Sequence, residues 1–286
     1  MRSVILSTTR TWAGLLTAAT VFTTCSGDSR PSVNGPPGPR EHELLLVPSG
    51  AFPMGSAQGS TVNQPVHSVY LESFFIDRYE VTAGQFRSCV DAGECSAAVI
   101  LDSDGNVLED CNWGNPEHEE HPINCASWHQ ATQYCGWVGL RLPTEAEWEK
   151  AARSEDERTF PWGEEYGCNR GNFDDDTTRD PFVMPGGEGC DGYLRSAPVG
   201  SFPLGASPYG VEDMAGNVSE WVSDVWDRAY YEVSPDRNPT GPPQGSKHVV
   251  RGGNWDSGHE TLWTWARDWG PSSYRQPIIG FRCASD

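Results

Sequence analysis

Between Asp213 and Glu220 the chain reads DMAGNVSE, with a carboxylate at each end of a Gly-Asn turn. Calcium takes roughly six to eight oxygens from carboxylates, amides and backbone carbonyls on a loop that can wrap around it, and this segment offers both kinds. Two other stretches carry metal-ligand types. Glu117 to His121 (EHEEH) holds His118 and His121, and Asp256 stands close to the adjacent pair His259 and Glu260. Neighbouring side chains diverge along a chain, so neither stretch closes a metal site without help from elsewhere, and EHEEH otherwise reads as a solvated acidic loop. Asp102-Ser103-Asp104-Gly105-Asn106 begins like a calcium-binding loop but lacks the later carboxylate that completes one, so it reads as a turn in an insertion. Trp255, Trp263, Trp265 and Trp269, with His259, would line a ligand groove or fill a core short of aliphatic residues.

The elements that must position these groups are few. The chain has 286 residues, with 31 Gly, 22 Pro, 12 Trp and 9 Cys, which argues for a loop-rich domain made rigid by rings, disulfides or bound ions. It carries 40 Asp+Glu against 20 Lys+Arg, a net charge of −20, which excludes a general nucleic-acid binder, because such proteins attach through a basic face. LLLVPSGAFPMGS (44–56) predicts a hairpin turning at Ser49-Gly50, and VHSVYLESFFI (66–76) one longer strand. Thr82 with Gln85 is a capping-box pattern opening a short helix that Gly93 can close. A second helix is expected over 127–139, where Trp128, Ala131, Cys135 and Val138 form a stripe. Thr144 with Glu147 is a stronger capping box and starts a helix over 145–153. From 154 to 247 periodicity fades, and two closing strands are expected at 248–254 and 278–284.

The N-terminus has Arg2 and Arg10, then the uncharged stretch WAGLLTAATVF (12–22), too short to cross a bilayer and suited to an export signal. Cys25 follows it and resembles the lipidated cysteine of bacterial lipoproteins, although Phe22-Thr23-Thr24 stands where Leu-Ala-Gly is usual; ordinary cleavage nearby is the alternative. Either reading places the mature chain outside the cytoplasm, in the periplasm or on the cell surface, with membrane attachment only through the lipid. Residues 1–25 are thus the export segment, 26–43 a Pro/Gly/Ser-rich tether and 44–286 a single domain. With Cys25 set aside, Cys89, Cys95, Cys111, Cys125, Cys135, Cys168, Cys190 and Cys283 remain. An even number in an exported chain predicts disulfides.

The motifs together resemble one family, the formylglycine-generating enzyme or sulfatase-modifying factor domain. They occur in the family's order: Met54-Gly55-Ser56, Pro65-Val66-His67, Glu80-Val81-Thr82, Ser127-Trp128, RLPTEAEW (141–148), Pro161-Trp162-Gly163, DMAGNVSEW (213–221), RGGNW (251–255) and Gly280-Phe281-Arg282. The resemblance implies an α+β fold, a single elaborated C-type-lectin-like domain low in regular structure and stabilised by calcium and disulfides. It implies two calcium sites: Asp213 and Glu220 by side chain with the carbonyls of Gly216 and Val218, and Asn172 and Asp191 by side chain with the carbonyls of Phe173 and Tyr193. It also implies a Cys135–Cys283 bond. Cys168 and Cys190 flank the halves of the second calcium site, so a bond between them would close that loop. Cys89, Cys95, Cys111 and Cys125 allow three pairings, of which Cys89–Cys95 with Cys111–Cys125 is preferred.

The family enzyme oxidises a sulfatase cysteine to formylglycine with copper(I) held by two cysteines just after its Arg-Gly-Gly motif. Soft thiolates suit copper(I). Here the equivalent positions fall at Ser257 and Leu262, and no cysteine lies between Cys190 and Cys283, so copper is not expected. The expectation is therefore a binding or structural module of the cell envelope, receiving a peptide, glycan or envelope protein. The alternative is an oxidase acting on a sulfatase cysteine, or on another substrate, through a site the motifs do not show.

Overall fold

The structure, a computed structural model, describes residues 42–174 and 191–286. The expected export segment, Cys25, nearly all of the expected tether and Cys190 lie outside the described residues.

Three helices start where side chains can satisfy their first backbone amides. Thr82 and Gln85 cap α1 (Ala83–Asp91) reciprocally, and Thr144 and Glu147 do the same for α3 (Glu145–Arg153). The third, α2 (Trp128–Trp137), opens with the same box from Ser127 and Gln130, a signal present in the sequence beside the apolar stripe. Gly93 at φ 78° follows the end of α1 as expected.

Strand partners differ from the local reading. β1 (Leu44–Val47) and β2 (Gly50–Met54) do not form a hairpin. Instead β1 pairs antiparallel with β4 (Phe74–Asp77), and β2 pairs antiparallel with β3 (His67–Leu71). The Lys150 ammonium on α3 donates to the carbonyls of Pro48 and Gly50 at 2.8 and 3.0 Å. The link is thereby held against the helix, and the two strands enter different sheets. The single strand expected over 66–76 breaks at Glu72-Ser73 into β3 and β4 for a similar reason: Glu72 N–H donates to Asn238 Oδ1 rather than to a strand.

The largest sheet has the order β7-β6-β5-β8, from β7 (Arg267–Pro271), β6 (Lys247–Arg251), β5 (Ser219–Val225) and β8 (Ile279–Phe281). β5 pairs antiparallel with β6 and parallel with β8. Sequence patterning missed β5 because five of its seven side chains are buried, and Ser219 to Val222 are buried in succession, on both faces, Glu220 among them. A strand buried on both sides shows no period of two. β9 (Ala284–Ser285) completes a three-stranded sheet of order β1-β4-β9.

Among the described residues two large hydrophobic clusters and a smaller third, of Phe160, Phe173, Ala215 and Leu262, fill the interior. Of the large ones, one joins Phe86 of α1, Tyr134 of α2, Trp221 of β5 and Phe281 of β8; the other gathers Phe52, Phe74, Val222 and Val249 around Trp148 of α3. Every residue of α3 is buried, including Glu145, Glu147, Glu149, Lys150 and Arg153. Disulfides join Cys89–Cys95, Cys111–Cys125 and Cys135–Cys283. The last ties α2 to the end of the chain across 148 residues, worth about 4–5 kcal/mol in the loop-entropy account. Cys168 is also disulfide-bonded; its expected partner Cys190 lies outside the described residues.

The EHEEH loop is more than a solvated face. The carbonyls of His121 and Glu119 accept from Ala83 and Gly84 N–H at the start of α1. His118 and His121 stack at 4.4 Å, and burial, then the second ring, pushes His121 down to about 4. Asp102 makes the expected turn, its Oδ1 accepting from Asp104 and Asn106 N–H at 2.9 Å.

Asp224 of β5 closes the start of α3 by accepting from Glu145 N–H at 2.8 Å. Burial, and then the nearby Glu145 charge, pushes its carboxyl up to about 7. Because the folded-state value lies above the unfolded one, the stability from this proton is complete below the ordinary Asp range and is lost as pH rises through about 7. Urea denaturation should therefore show wild type losing stability relative to Asp224→Asn between about pH 4 and pH 7. Parallel pH profiles for the two proteins would refute this assignment.

Candidate functional site

Four motif segments meet at the end of β6. Arg251 leaves the strand into a network with α3: its guanidinium donates to Glu145 Oε1 at 3.1 Å and Glu149 Oε2 at 2.8 Å, and to the Thr264 carbonyl at 2.7 Å. Arg267 of β7 donates to both oxygens of Glu145 at 2.6 and 2.9 Å, and Arg153 pairs with Glu149 at 3.0 Å. Burial opposes ionisation of Glu149, but Arg251 and Arg153 override it and hold the carboxyl below its usual range. The chain then turns through Gly252 and Gly253 at φ 92° and 67°. A Cβ on Gly253 would meet Leu262 Cδ2 at 2.9 Å, and one on Gly252 would meet Trp148 at 3.0 Å. Only glycine allows both the left-handed turn and the close approach.

Beyond the glycines, Asn254 organises a tight turn. Its N–H donates to Ser257 Oγ at 3.0 Å, its Oδ1 accepts from Asp256 N–H at 2.9 Å and its Nδ2 donates to Ser219 Oγ at 3.0 Å. Ser257 is buried in this turn. Leu262 is fully buried with Phe160, Phe173 and Ala215. The aromatic residues of the expected groove do not form one surface. Trp263, Trp265 and His259 lie together, with ring centroids 5.6 and 5.9 Å apart, but Trp265 is buried. Trp269 lies on the exposed side of β7 with Trp226 at 6.4 Å, under the Lys247 ammonium at 3.4 Å. Trp255 is half-buried, and its N–H donates to the Asn217 carbonyl.

The loop 213–220 is built on backbone that side chains rarely tolerate. Asp213, Gly216 and Asn217 have φ of 58°, 95° and 56°. Asn217 N–H donates to the Asn172 carbonyl at 2.6 Å, and Asn217 Nδ2 donates to Glu80 Oε2 at 2.9 Å. Glu220 is held by Arg282, whose Nε and Nη2 donate at 2.7 Å each, and by Trp148 Nε1 at 3.0 Å. Glu80 and Arg282 were not singled out from the sequence as site residues. Their only signals are their places in the short Glu80-Val81-Thr82 and Gly280-Phe281-Arg282 motifs.

Both calcium sets implied by the resemblance can be tested against this geometry. Around the first, the buried carboxyls of Glu80, Asp213 and Glu220 face one guanidinium, Arg282. Burial pushes Asp213 up to about 6 and, with Asp213 and Glu220 adding repulsion, raises Glu80 as well. A divalent cation relieves such an excess of buried negative charge, so the residues fit. Around the second, Asn172 Nδ2 donates to the Arg195 carbonyl at 2.7 Å, while its buried Oδ1 has no hydrogen-bond partner among the described residues. An orphaned acceptor of this kind also fits a cation. Asp191 beside it accepts from Phe173 and Tyr193 N–H at 3.2 and 2.8 Å. Among the described residues no group of three or more His, Cys, Asp or Glu side chains could hold a metal alone, so either ion would depend on the carbonyls of Gly216 and Val218 or of Phe173 and Tyr193.

A chelator should lower the melting temperature and added calcium restore it. Asp213→Asn, which keeps an oxygen ligand, should retain that response, and Asp213→Ala should lose much of it. A melting temperature indifferent to chelator would exclude the calcium assignment.

Comparison with known proteins agrees with the motif order. Residues 31–286 match the sulfatase-modifying factor enzyme 1-like domain. The formylglycine-generating enzyme of Streptomyces coelicolor is 34% identical over 291 aligned residues, covering 85% of this chain and 88% of that protein. The serine/threonine-protein kinase pkn1 of Chlamydia caviae is 35% identical over 87% of this chain, which spans 38% of that protein's length. Among solved structures, PvdO from Pseudomonas aeruginosa superposes with a TM-score of 0.68 at 26% identity, covering 85% of this chain and 94% of PvdO. With its motifs, their order and this fold in agreement, the chain belongs to the sulfatase-modifying factor, or formylglycine-generating enzyme, family.

Proposed function

We propose that this family member is an exported, calcium-stabilised module that binds a partner at the turn following β6 and does not oxidise cysteine with copper. The observation that carries this reading is the pair Ser257 and Leu262. At the two positions where the family enzyme places its copper thiolates, one side chain is a hydroxyl closed into the Asn254 turn and the other an alkyl group buried among Phe160 and Phe173. Every described cysteine is disulfide-bonded, so none of them offers the soft thiolate that copper(I) prefers. The partner is a peptide, glycan or protein of the cell envelope, met in the periplasm or at the cell surface, where Cys25 anchors the chain through lipid. The exposed Trp269, stacked near Trp226, supports an aromatic contact surface on β7.

The second reading, an oxidase acting on a sulfatase cysteine or another substrate, draws on the relationship to formylglycine-generating enzymes across 85% of the chain. Incubating the purified protein with a sulfatase-derived cysteine peptide, copper and oxygen separates the two. Mass spectrometry should find the peptide unchanged. Formylglycine in the product would overturn the binding-module reading.

A further inference from the structure

A small cavity of about 130 Å³ opens beside the Asn254 turn, lined by Ser219, Asn254, Ser257, Arg251 and Arg267 among others. Its size is that of roughly four waters in the liquid, enough for a small functional group and too little for a whole drug-sized ligand. Ser219 comes from β5 and Ser257 from the turn, and both are buried. Asn254 occupies each hydroxyl oxygen from the acceptor side, its Nδ2 donating to Ser219 and its backbone N–H to Ser257, both at 3.0 Å. Among the described residues neither hydroxyl donates to a protein acceptor. A serine hydroxyl has one hydrogen to give, so Asn254 leaves two buried donors with their hydrogens unassigned at one cavity.

The charge around them has a sign. Arg153, Arg251 and Arg267 are ion-paired with Glu145 and Glu149 in the buried network behind the cavity, and because burial and the Glu145 charge push the neighbouring Asp224 carboxyl up to about 7, three guanidiniums face two ionised carboxylates below that pH. Among the described residues that line the cavity the one acid is Asp268, which is exposed. Two hydroxyl donors backed by excess guanidinium select an acceptor with negative charge, because hydrogen bonds to an ionised acceptor are the stronger kind.

We propose that this cavity binds a carboxylate, whose oxygens accept from the Ser219 and Ser257 hydroxyls. The proposal rests on the reading that the turn after β6 is a binding site and names the group recognised there. A free small acid and the carboxyl end of a peptide share this chemistry.

Saturation-transfer NMR on the full chain tests it, with acetate, acetamide, and acetyl-Gly-Gly carrying a free or an amidated C-terminus as probes. Saturable transfer is expected to acetate, to the free-acid peptide, or to both. Preference for acetate identifies a small acid, and preference for the peptide acid identifies a chain end. Acetamide and the amidated peptide should bind about tenfold more weakly or not at all. Ser219→Ala and Ser257→Ala, which remove one donor each, should weaken binding by about tenfold or more. Ser219→Val fills the cavity with a side chain suited to a strand and leaves the Ser257 hydroxyl in place, so it should abolish binding in a protein whose circular dichroism matches wild type. Overturning results are no saturable transfer to either carboxylate, equal affinity for acetamide, or alanine variants that bind like wild type. Absence of carboxylate binding together with absence of formylglycine production rejects this proposal alone, whereas formylglycine production rejects the functional reading beneath it.

Discussion

Burying a helix that carries Glu145, Glu147, Glu149, Lys150 and Arg153 is the constraint on which the rest of the domain depends. An unpaired charge in such a place costs several kcal/mol, and breaking a buried pair typically costs about 3–5 kcal/mol. Apart from the Arg153–Glu149 pair within the helix, the charges on α3 must therefore find partners from elsewhere in the chain. Glu145 and Glu149 take Arg251 and Arg267 from β6 and β7, and Lys150 takes the link between β1 and β2. Trp148 reaches Glu220 of β5, and Glu220 in turn takes Arg282. The family motifs are thus members of one chain of interactions: RLPTEAEW supplies the helix, RGG and GFR the cations, and DMAGNVSEW the acid between them.

That connection also shapes the site. Because Arg251 is fixed at the end of β6, the two glycines after it must turn in the left-handed region over Trp148 and under Leu262, and the position of Asn254 follows. Asn254 then holds both Ser219 and Ser257 by hydrogen bonds at the wall of one cavity. On the other flank, Arg282 and Glu80 hold the loop 213–220 in a backbone that gathers carboxylates faster than it neutralises them. The charge balance of the two flanks is opposite, guanidinium in excess near Ser257 and carboxyls in excess near Asp213, although both are tied to α3, one through Arg251 and Arg267 and the other through Trp148. An overall charge of −20 reveals nothing of this local difference.

Helix starts were legible because a capping box is a contact between residues three apart, and the sequence shows both partners. The acids of the Asp213 loop were legible for a related reason, since the turn that aims its carbonyls is written in Gly216 and Asn217. Strand pairing was not legible in the same way. Ser49-Gly50 looks like a hairpin turn, yet Lys150, about a hundred residues away in the chain, decides where it goes. β5 escaped notice because burial on both faces erased its alternation, and Glu220 and Asp224 look like loop residues until Arg282 and the start of α3 supply their partners.

The sequence by itself determined the family, the helix caps, the absence of any cysteine between Cys190 and Cys283 and the chemical types gathered in the Asp213 loop, since each is a matter of residue identity along the chain. Only the tertiary structure decided that Leu262 points into an apolar cluster while Ser257 lines a cavity, that Trp265 is core and Trp269 surface, and that Glu80 and Arg282 hold Asn217 and Glu220 of the Asp213 loop. These depend on contacts between segments tens to hundreds of residues apart. Burial and charge pairing across such distances are properties of the packed chain, and no local pattern encodes which of several eligible partners will be met.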